Sequence, residues 1–492
     1  MAGMSAAQAA PDSGSLASRA LLMVVLWLGF WLLAAGLVIG LLAIPVAQLH
    51  FRDTIDLSGI VAACAGITLA YSLRPRRAGS AAADVVPTPL RRDEAPQLFR
   101  FIEGVAAKVG VTAPFEVHLV TTATAFIRAE RTWTGRVKTL SIGIGMPLFV
   151  WLSEAELGAV IAHEFGHFIG GDTLLTPWVY RTRLSIGTAV HALDDSVFFL
   201  DEPFRRYGQW FLRRSTAVSR AQEYAADALS ARHFGVASAC AALEKIHLLE
   251  PMWFAYFHHD LVPALNCSVQ LPVFDGYRRF CAAAPKRREV QEAIDGAAER
   301  TSSPYDTHPS LDERMTALGG GASGRLSGPV NCAGLLGGEE RLETIWFERI
   351  GGRDWPGLGW DAFGDVVLGK KIQARFAGTD MAPDALPLTR LPEIALSLDA
   401  WWPRLKPDGP SFLSPAGQRN HVLDVLRDWA IASLCHAGFA LHVRPGESLV
   451  LKRDGITIEP GQLLAEACQG RLTAATVEAY MATSSPDTAP AS

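Results

Sequence analysis

Charged side chains are scarce in this chain, 19% of its 492 residues, while 49% are hydrophobic and the mean hydropathy is positive. That balance excludes a disordered chain and is slightly apolar for a purely soluble one, so part of the chain is expected to meet lipid. A basic excess is missing as well. The formal net charge is -5, which leaves no electrostatic footprint for DNA or RNA, and no nucleic-acid partner is expected. Paired cysteines are also lacking. The seven, Cys64, Cys240, Cys267, Cys281, Cys332, Cys435 and Cys468, are odd in number, scattered and free of any CxxC, which fits neither a disulfide framework nor a cysteine zinc site. A reducing compartment is the simpler reading.

Charge disappears altogether from residues 20–47, ALLMVVLWLGFWLLAAGLVIGLLAIPVA. The run exceeds the roughly 20 residues a helix needs to cross a bilayer. A cleaved signal peptide would have an apolar core of about 7–15 residues and no second apolar segment so soon after it. That second segment exists at residues 57–73, LSGIVAACAGITLAYSL, uncharged but near the lower length limit, with small residues suited to packing on the first. The sequence favours a transmembrane hairpin; a buried helix of a soluble domain is the other reading. Arg74, Arg76, Arg77, Arg91 and Arg92 follow the second segment, whereas the turn QLHFRDTID carries one arginine against two aspartates. The positive-inside rule therefore puts both termini in the cytoplasm. Abundant alanine, glycine, arginine and proline point to a GC-rich bacterium, hence to its inner membrane.

From about residue 93 the texture becomes globular. DEAPQLFRFIEGVAAKVGV reads as an amphipathic helix ended by Gly110, and PFEVHLVTTATAFIR and VKTLSIGIG read as short strands joined by a Gly-containing turn. AVIAHEFGHFIGGDT, residues 159–173, follows. Ser153 is a good N-cap, Glu154 and Glu156 suit the first turn, and Leu157, Val160, Ile161 and Phe165 recur at helical spacing. A helix is expected over about 154–169, ending at Gly170 or Gly171 in a left-handed conformation.

On such a helix His163 and His167 are about 40° apart around the axis and one turn apart along it, so both imidazoles can bind one ion. Glu164 can reach a water held by that ion. H-E-x-x-H needs this arrangement: two neutral imidazoles on zinc, and a carboxylate taking the proton from zinc-bound water as it attacks a peptide carbonyl. Five residues recur by chance, so a core helix with incidental polar residues competes with the metal reading. A catalytic zinc also wants a third protein ligand and an open position. SRAQEYAADALSARHFG, residues 219–235, offers Glu223 and Asp227 four apart on a helix: Glu223 can ligate zinc while Asp227 accepts a hydrogen bond from a histidine ring. The competing reading is a solvated face with ion pairs to Arg220 or Arg232.

HEFGH followed by IGGDT, then SRAQEYAADALSA, then THPSLDER at 307–314, behind two apolar segments, resembles the membrane-anchored zinc metallopeptidases that include HtpX and the CAAX prenyl proteases. The resemblance covers about residues 20–320. It implies a zincin-like domain holding one zinc ion per chain, with Glu223 as third ligand and Asp227 behind it. It also implies that a strand preceding the metal helix is an edge to which extended substrate adds, a place matched by TLSIGIG, residues 139–145, with the substrate near Leu140 to Gly145. By its residues alone THPSLDER is a helix start, with Thr307 near the cap and Pro309, Asp312 and Glu313 in the first turn. The resemblance makes His308 and Arg314 candidates for stabilising the oxyanion or holding substrate.

Two features depart from the family. Thr124 stands where asparagine commonly precedes Ala-Phe, which puts substrate contacts there in doubt. Relatives of the HtpX type place further spans between the metal helix and the third ligand, but here ten charged residues lie from Arg181 to Arg214, each costing about 2.5–3.5 kcal/mol at mid-bilayer. FFLDEPFRRYGQWFLRR can instead lie at the membrane interface, cover the active-site cleft, or form a plain surface helical pair. LGGGASGRLSGPV, residues 318–330, reads as a linker. Beyond it PEIALSLDAWWPRL and QRNHVLDVLRDWAIASLCHAGFAL look helical, and ESLVLKRDGITIEP alternates around Asp454-Gly455 as a hairpin should.

The expected fold is α+β and predominantly helical: a cytoplasmic tail (1–19), a transmembrane hairpin (20–77), a zinc metallopeptidase domain (78–320), a small α+β domain (321–480) and a disordered tail (481–492). The expected function is a multi-pass inner-membrane zinc endopeptidase of protein quality control, cutting unfolded or membrane-associated proteins in the cytoplasm. His163, His167 and Glu223 hold zinc, Glu164 is general base and later proton donor, and Asp227 orients a ligand. Two alternatives stand beside it. One is a processing protease for a single lipidated or membrane substrate, against which the few clear spans count. The other is a non-catalytic zinc-holding scaffold or holdase, against which Glu164 counts, since a structural site has no use for a base.

Overall fold

The computed structural model describes residues 16–72, 88–132, 134–170, 202–283, 309–320, 331–406 and 413–482. The fold is mostly helical with some sheet. Helix α1, Leu16–Arg52, contains the one described stretch long and apolar enough to cross a membrane, Val24–Arg52, with a mean hydropathy of 2.4 over 18 of its consecutive residues. Leu32, Ile39 and Val46 are exposed along it, as lipid-facing side chains would be. Helix α2, Leu57–Ser72, is apolar but shorter. Its start is fixed by Gln48, whose amide donates to Asp56 Oδ1 (2.7 Å) and Ser58 Oγ (2.9 Å).

The chain divides into two compact units, Met1–Glu250 with Gly296–Leu342, and Pro251–Asp295 with Glu343–Ser492. In the first, strands β1 (Thr88–Leu90), β2 (Phe115–Val120), β3 (Ala125–Arg131) and β4 (Val137–Gly145) form one sheet in the order β1-β2-β4-β3. Helix α3, Pro96–Val109, ends on Gly110 at φ +80°, the left-handed cap its glycine permits. The strand expected to be the open edge is not one: Leu140 to Gly145 of β4 pairs with β2 in parallel and with β3 antiparallel, so its backbone groups are taken on both sides. Ile142 and Ile144 are buried accordingly. Among the described residues the free edge on that side belongs to β3.

At the end of β4 only glycine fits, because a Cβ on Gly145 would stand 2.1 Å from the Thr122 carbonyl oxygen. The chain then passes through α4, Met146–Trp151, into α5, Glu154–Ile169, whose buried face includes Leu157, Ile161 and Phe165. Ser153 caps α5 as expected, in a full capping box with Glu156. Gly170 closes it with right-handed dihedrals (φ -65°) rather than left-handed ones; Gly171 lies outside the described residues. Helix α6, Glu202–Phe234, is one continuous element of 33 residues packed on α5, and not a helical pair over its described length. Helix α7, Val236–Tyr256, follows it.

The second unit holds α8, Val273–Ala283, among buried aromatic rings: Trp253 meets Tyr277 edge-on at 4.8 Å, and Tyr256 and Trp360 are fully buried. Further along, helix α10 (Pro415–His436) buries Val422, Leu426 and Trp429 beside a sheet of β5 (Ala440–His442), β6 (Val450–Arg453) and β7 (Ile456–Ile458). Asp454 and Gly455 link β6 to β7 with positive φ at both positions, the requirement of a tight primed turn. In the first unit, α9 spans Leu311–Ala317. Its cap is Ser310, in a capping box with Glu313, so the helix begins later than Thr307 and Pro309 precedes it.

Candidate metal centre

Two helices build the site. On α5, His163 and His167 present Nε2 atoms 3.0 Å apart. From α6, Glu223 brings Oε2 to 3.6 Å from His163 Nε2 and Oε1 to 3.7 Å from His167 Nε2. Two donors about 2.0–2.1 Å from a tetrahedral ion are about 3.3–3.4 Å apart, so these three spacings suit one face of a zinc coordination tetrahedron. Among the described residues this is the histidine, cysteine and carboxylate group whose donor atoms converge, all within 4.8 Å of one another.

The approach of the helices depends on small residues. A Cβ on Gly166 would lie 2.9 Å from Ala226 Cα and 3.0 Å from its Cβ. One on Gly158 would lie 2.3 Å from the Phe234 ring. Between these points the Ser230 hydroxyl donates to the Ala159 carbonyl (2.7 Å) in the buried interface. Glu223 is thereby brought within reach of the histidines.

Asp227, one turn beyond Glu223, sits behind His163. Its Oδ1 is 2.9 Å from His163 Nδ1, close enough to favour a proton on that nitrogen and so leave Nε2 for an ion. Arg314 of α9 grips the same carboxylate with two bonds, Nε to Oδ2 (2.8 Å) and Nη2 to Oδ1 (2.6 Å), and its Nη2 is 3.3 Å from Glu223 Oε2. Burial pushes the Asp227 carboxyl pKa up, but Arg314 and His163 outweigh it and hold the value down to about 2. Arg314 itself is held protonated: burial opposes its charge, and Asp227 and Glu223 more than offset that. Arg220, a possible partner for Glu223 and Asp227 in the surface reading, pairs instead with Glu313 at 2.6 Å.

Glu164 faces the same centre. Burial raises its carboxyl pKa, the two histidines pull it back and Glu223 adds to the rise; the net shift is upward, the direction that suits a proton acceptor near neutral pH. Three carboxylates, Glu164, Glu223 and Asp227, face one guanidinium, and the two negative charges left over match a divalent cation. The donor set, two imidazoles and a carboxylate, is that of a hydrolytic zinc site.

Five of the site residues read from sequence, His163, Glu164, His167, Glu223 and Asp227, thus come together, and Arg314 joins them through Asp227 and Glu223. His308 lies outside the described residues. Sequence reasoning missed Gly166, Ala226 and Ser230, although their small side chains on facing helices are a signal of close packing. It also missed Lys245 on α7, which is buried and bonds Glu156 Oε2 (2.9 Å) and the Trp151 carbonyl (3.2 Å) at the start of α5. Compared with known families, residues 92–321 match the one described as Peptidase family M48.

Proposed function

We infer that residues 92–321, which match peptidase family M48, form a metallopeptidase domain, in agreement with the HtpX-type resemblance. From that premise we propose that the protein is a membrane-anchored zinc endopeptidase acting on unfolded or membrane-associated proteins. The observation that carries it is the convergence of His163, His167 and Glu223 beside Glu164. These three residues would hold one zinc ion, which when bound supplies a Lewis acid that acidifies water and polarises a peptide carbonyl.

The remaining work falls to the chain's own groups. Glu164 takes the proton of the attacking water on its carboxylate and returns it to the departing amine. Asp227 keeps His163 in the tautomer that offers Nε2, and Arg314 keeps Asp227 ionised and aimed. Arg314 is therefore a positioning residue in this reading rather than a substrate contact. His308 is the candidate for stabilising charge on the carbonyl oxygen. The outer edge of β3, a strand in contact with α5, takes the place first given to β4: it has no strand partner among the described residues and can receive an extended chain with little regard for side chains. The apolar stretch Val24–Arg52 anchors the protein in the bilayer, with α2 completing a hairpin and the catalytic residues cytoplasmic.

The test is metal removal. Full-length protein in detergent should carry one zinc per chain and degrade an unfolded model substrate. Chelation should abolish cleavage, and added zinc should restore it. Cleavage that survives complete removal of the metal would end the proposal.

A further inference from the structure

Helix α6 is engaged at both ends. Its C-terminal half carries Glu223 and Asp227, and its N-terminal half is seated on the apolar helices. The Tyr207 hydroxyl donates to the Leu26 carbonyl of α1, and its ring tilts on Phe30 with centroids 6.4 Å apart. Gly29 leaves room for it, since a Cβ there would be 2.7 Å from the Tyr207 oxygen. Phe211 is buried with Leu26, Phe30 and Ala34 of α1 and Leu69 of α2, and Val218 packs on the same cluster.

Glu223 comes five residues after Val218, about 7–8 Å of helical rise. No glycine or proline interrupts the helix from Phe211 to Phe234, so nothing in it invites a kink. Around this docked half Arg206, Trp210, Arg213 and Arg214 are exposed. Arginines are costly at mid-bilayer, but at the interface they reach water and tryptophan is favoured. The contact involves Leu26, Phe30 and Ala34 in the N-terminal part of the apolar stretch and Leu69 near the end of α2, so α6 meets the hairpin toward its cytoplasmic end, and the metal ligands lie a short, rigid step from it.

We propose that α6 is a strut fixing the height of the metal centre over the bilayer, so that the bond cut in a membrane-tethered chain is selected by its distance from the membrane. Tyr207 and Phe211 are the positioning residues of this device. The inference rests on the membrane-anchored peptidase reading above and adds a rule of position to it. With the helical rise and side-chain lengths together, the site stands on the order of 10–20 Å above the contact. An extended chain covers that height in about three to six residues.

The full-length protein is placed in nanodiscs of phosphatidylcholine and phosphatidylglycerol with a single-span substrate. The substrate's unstructured cytoplasmic linker repeats one short unit several times, so that every repeat offers the same bonds; the same linker as a soluble peptide is the control. Cleavage sites are mapped by mass spectrometry. The peptide should be cut evenly in all repeats, and the tethered linker at least about fivefold more often in the membrane-proximal repeat than in the distal ones. Even cutting of the tethered linker overturns the strut and leaves the peptidase reading intact. No cutting of either substrate overturns both. Phe211→Ala, which loosens the seat on α1 and α2, should still cut the peptide while spreading its cuts along the tethered linker; an undiminished proximal preference would overturn the role given to Phe211. Should that variant fail to fold, the distribution given by the unaltered protein decides alone.

Discussion

Gly166→Ala tests how closely the two metal-bearing helices must approach. The new methyl carbon would sit 2.9 Å from Ala226 Cα and 3.0 Å from Ala226 Cβ, where ordinary contacts begin near 3.4 Å. Backbone cannot swing aside as a side chain can, so α5 and α6 must part by about half an ångström, more than the roughly 0.2 Å a metal site tolerates. Overpacking of this kind costs about 1–3 kcal/mol. In the zinc-free protein the helices can relax apart, but with the ion bound Glu223 must stay in reach of both histidines, so the cost appears in zinc affinity. A loss of roughly 5–150-fold in Kd follows, read by competition against a chelator of known affinity. Ala226→Gly added to Gly166→Ala removes the Cβ clash and leaves the Cα one, so rescue should be partial. Gly104→Ala is the control: its Cβ meets nothing within 4 Å on α3, and it should leave zinc affinity unchanged. If Gly166→Ala binds zinc as tightly as the parent, the helix spacing does not set the site.

Three further outcomes follow from the same contacts. Asp227→Asn weakens the grip of Arg314 and changes the partner of His163 Nδ1, so zinc affinity should fall about 10–100-fold with Glu223 intact; chelator competition checks it. Because the Asp227 carboxyl is held down to about 2 in the folded chain, its stabilising contribution to the zinc-free protein is full above the unfolded pKa near 3.8 and is lost as pH falls toward 2. The gap in melting temperature between parent and Asp227→Asn should accordingly close over that acid window and stay constant above about pH 5. Lys245→Met strands the Glu156 carboxylate at the buried start of α5 and should cost about 3–5 kcal/mol of stability, most of it recovered by adding Glu156→Gln; thermal melts in detergent read both.

The metal helix was legible because three independent signals coincide on it: the apolar spacing of Leu157, Ile161 and Phe165, the Ser153 N-cap with Glu154 and Glu156 in the first turn, and two histidines one turn apart. Glu223 and Asp227 were legible as a spaced pair, but spacing alone cannot say which helix they face. That depends on Gly166 meeting Ala226, a contact between residues sixty positions apart. Arg314 was found as a residue and not as a contact, since H-P-x-x-x-x-R does not reveal that its guanidinium turns to Asp227. The strand order was misread where a signal existed: the buried run from Leu140 to Gly145 belongs in the middle of a sheet, while Ala125–Arg131, with Arg128 and Glu130 on it, has the polar content of an edge. The grouping of residues 251–283 with the C-terminal helices rests on aromatic packing of Trp253, Tyr256 and Tyr277 with Trp360, which has no local pattern.

The central claim is that Glu164 serves a hydrolytic metal held by His163, His167 and Glu223, and Glu164→Gln tests it most directly. The substitution keeps the shape of the side chain and removes the base without touching a ligand. With zinc content and cleavage of an unfolded substrate measured side by side, both proteins should hold one zinc per chain, and the variant should cleave about 10²–10⁴-fold more slowly. Equal cleavage by the variant would contradict the assignment of the base, and a zinc-loaded parent that cleaves no protein substrate would contradict the peptidase itself.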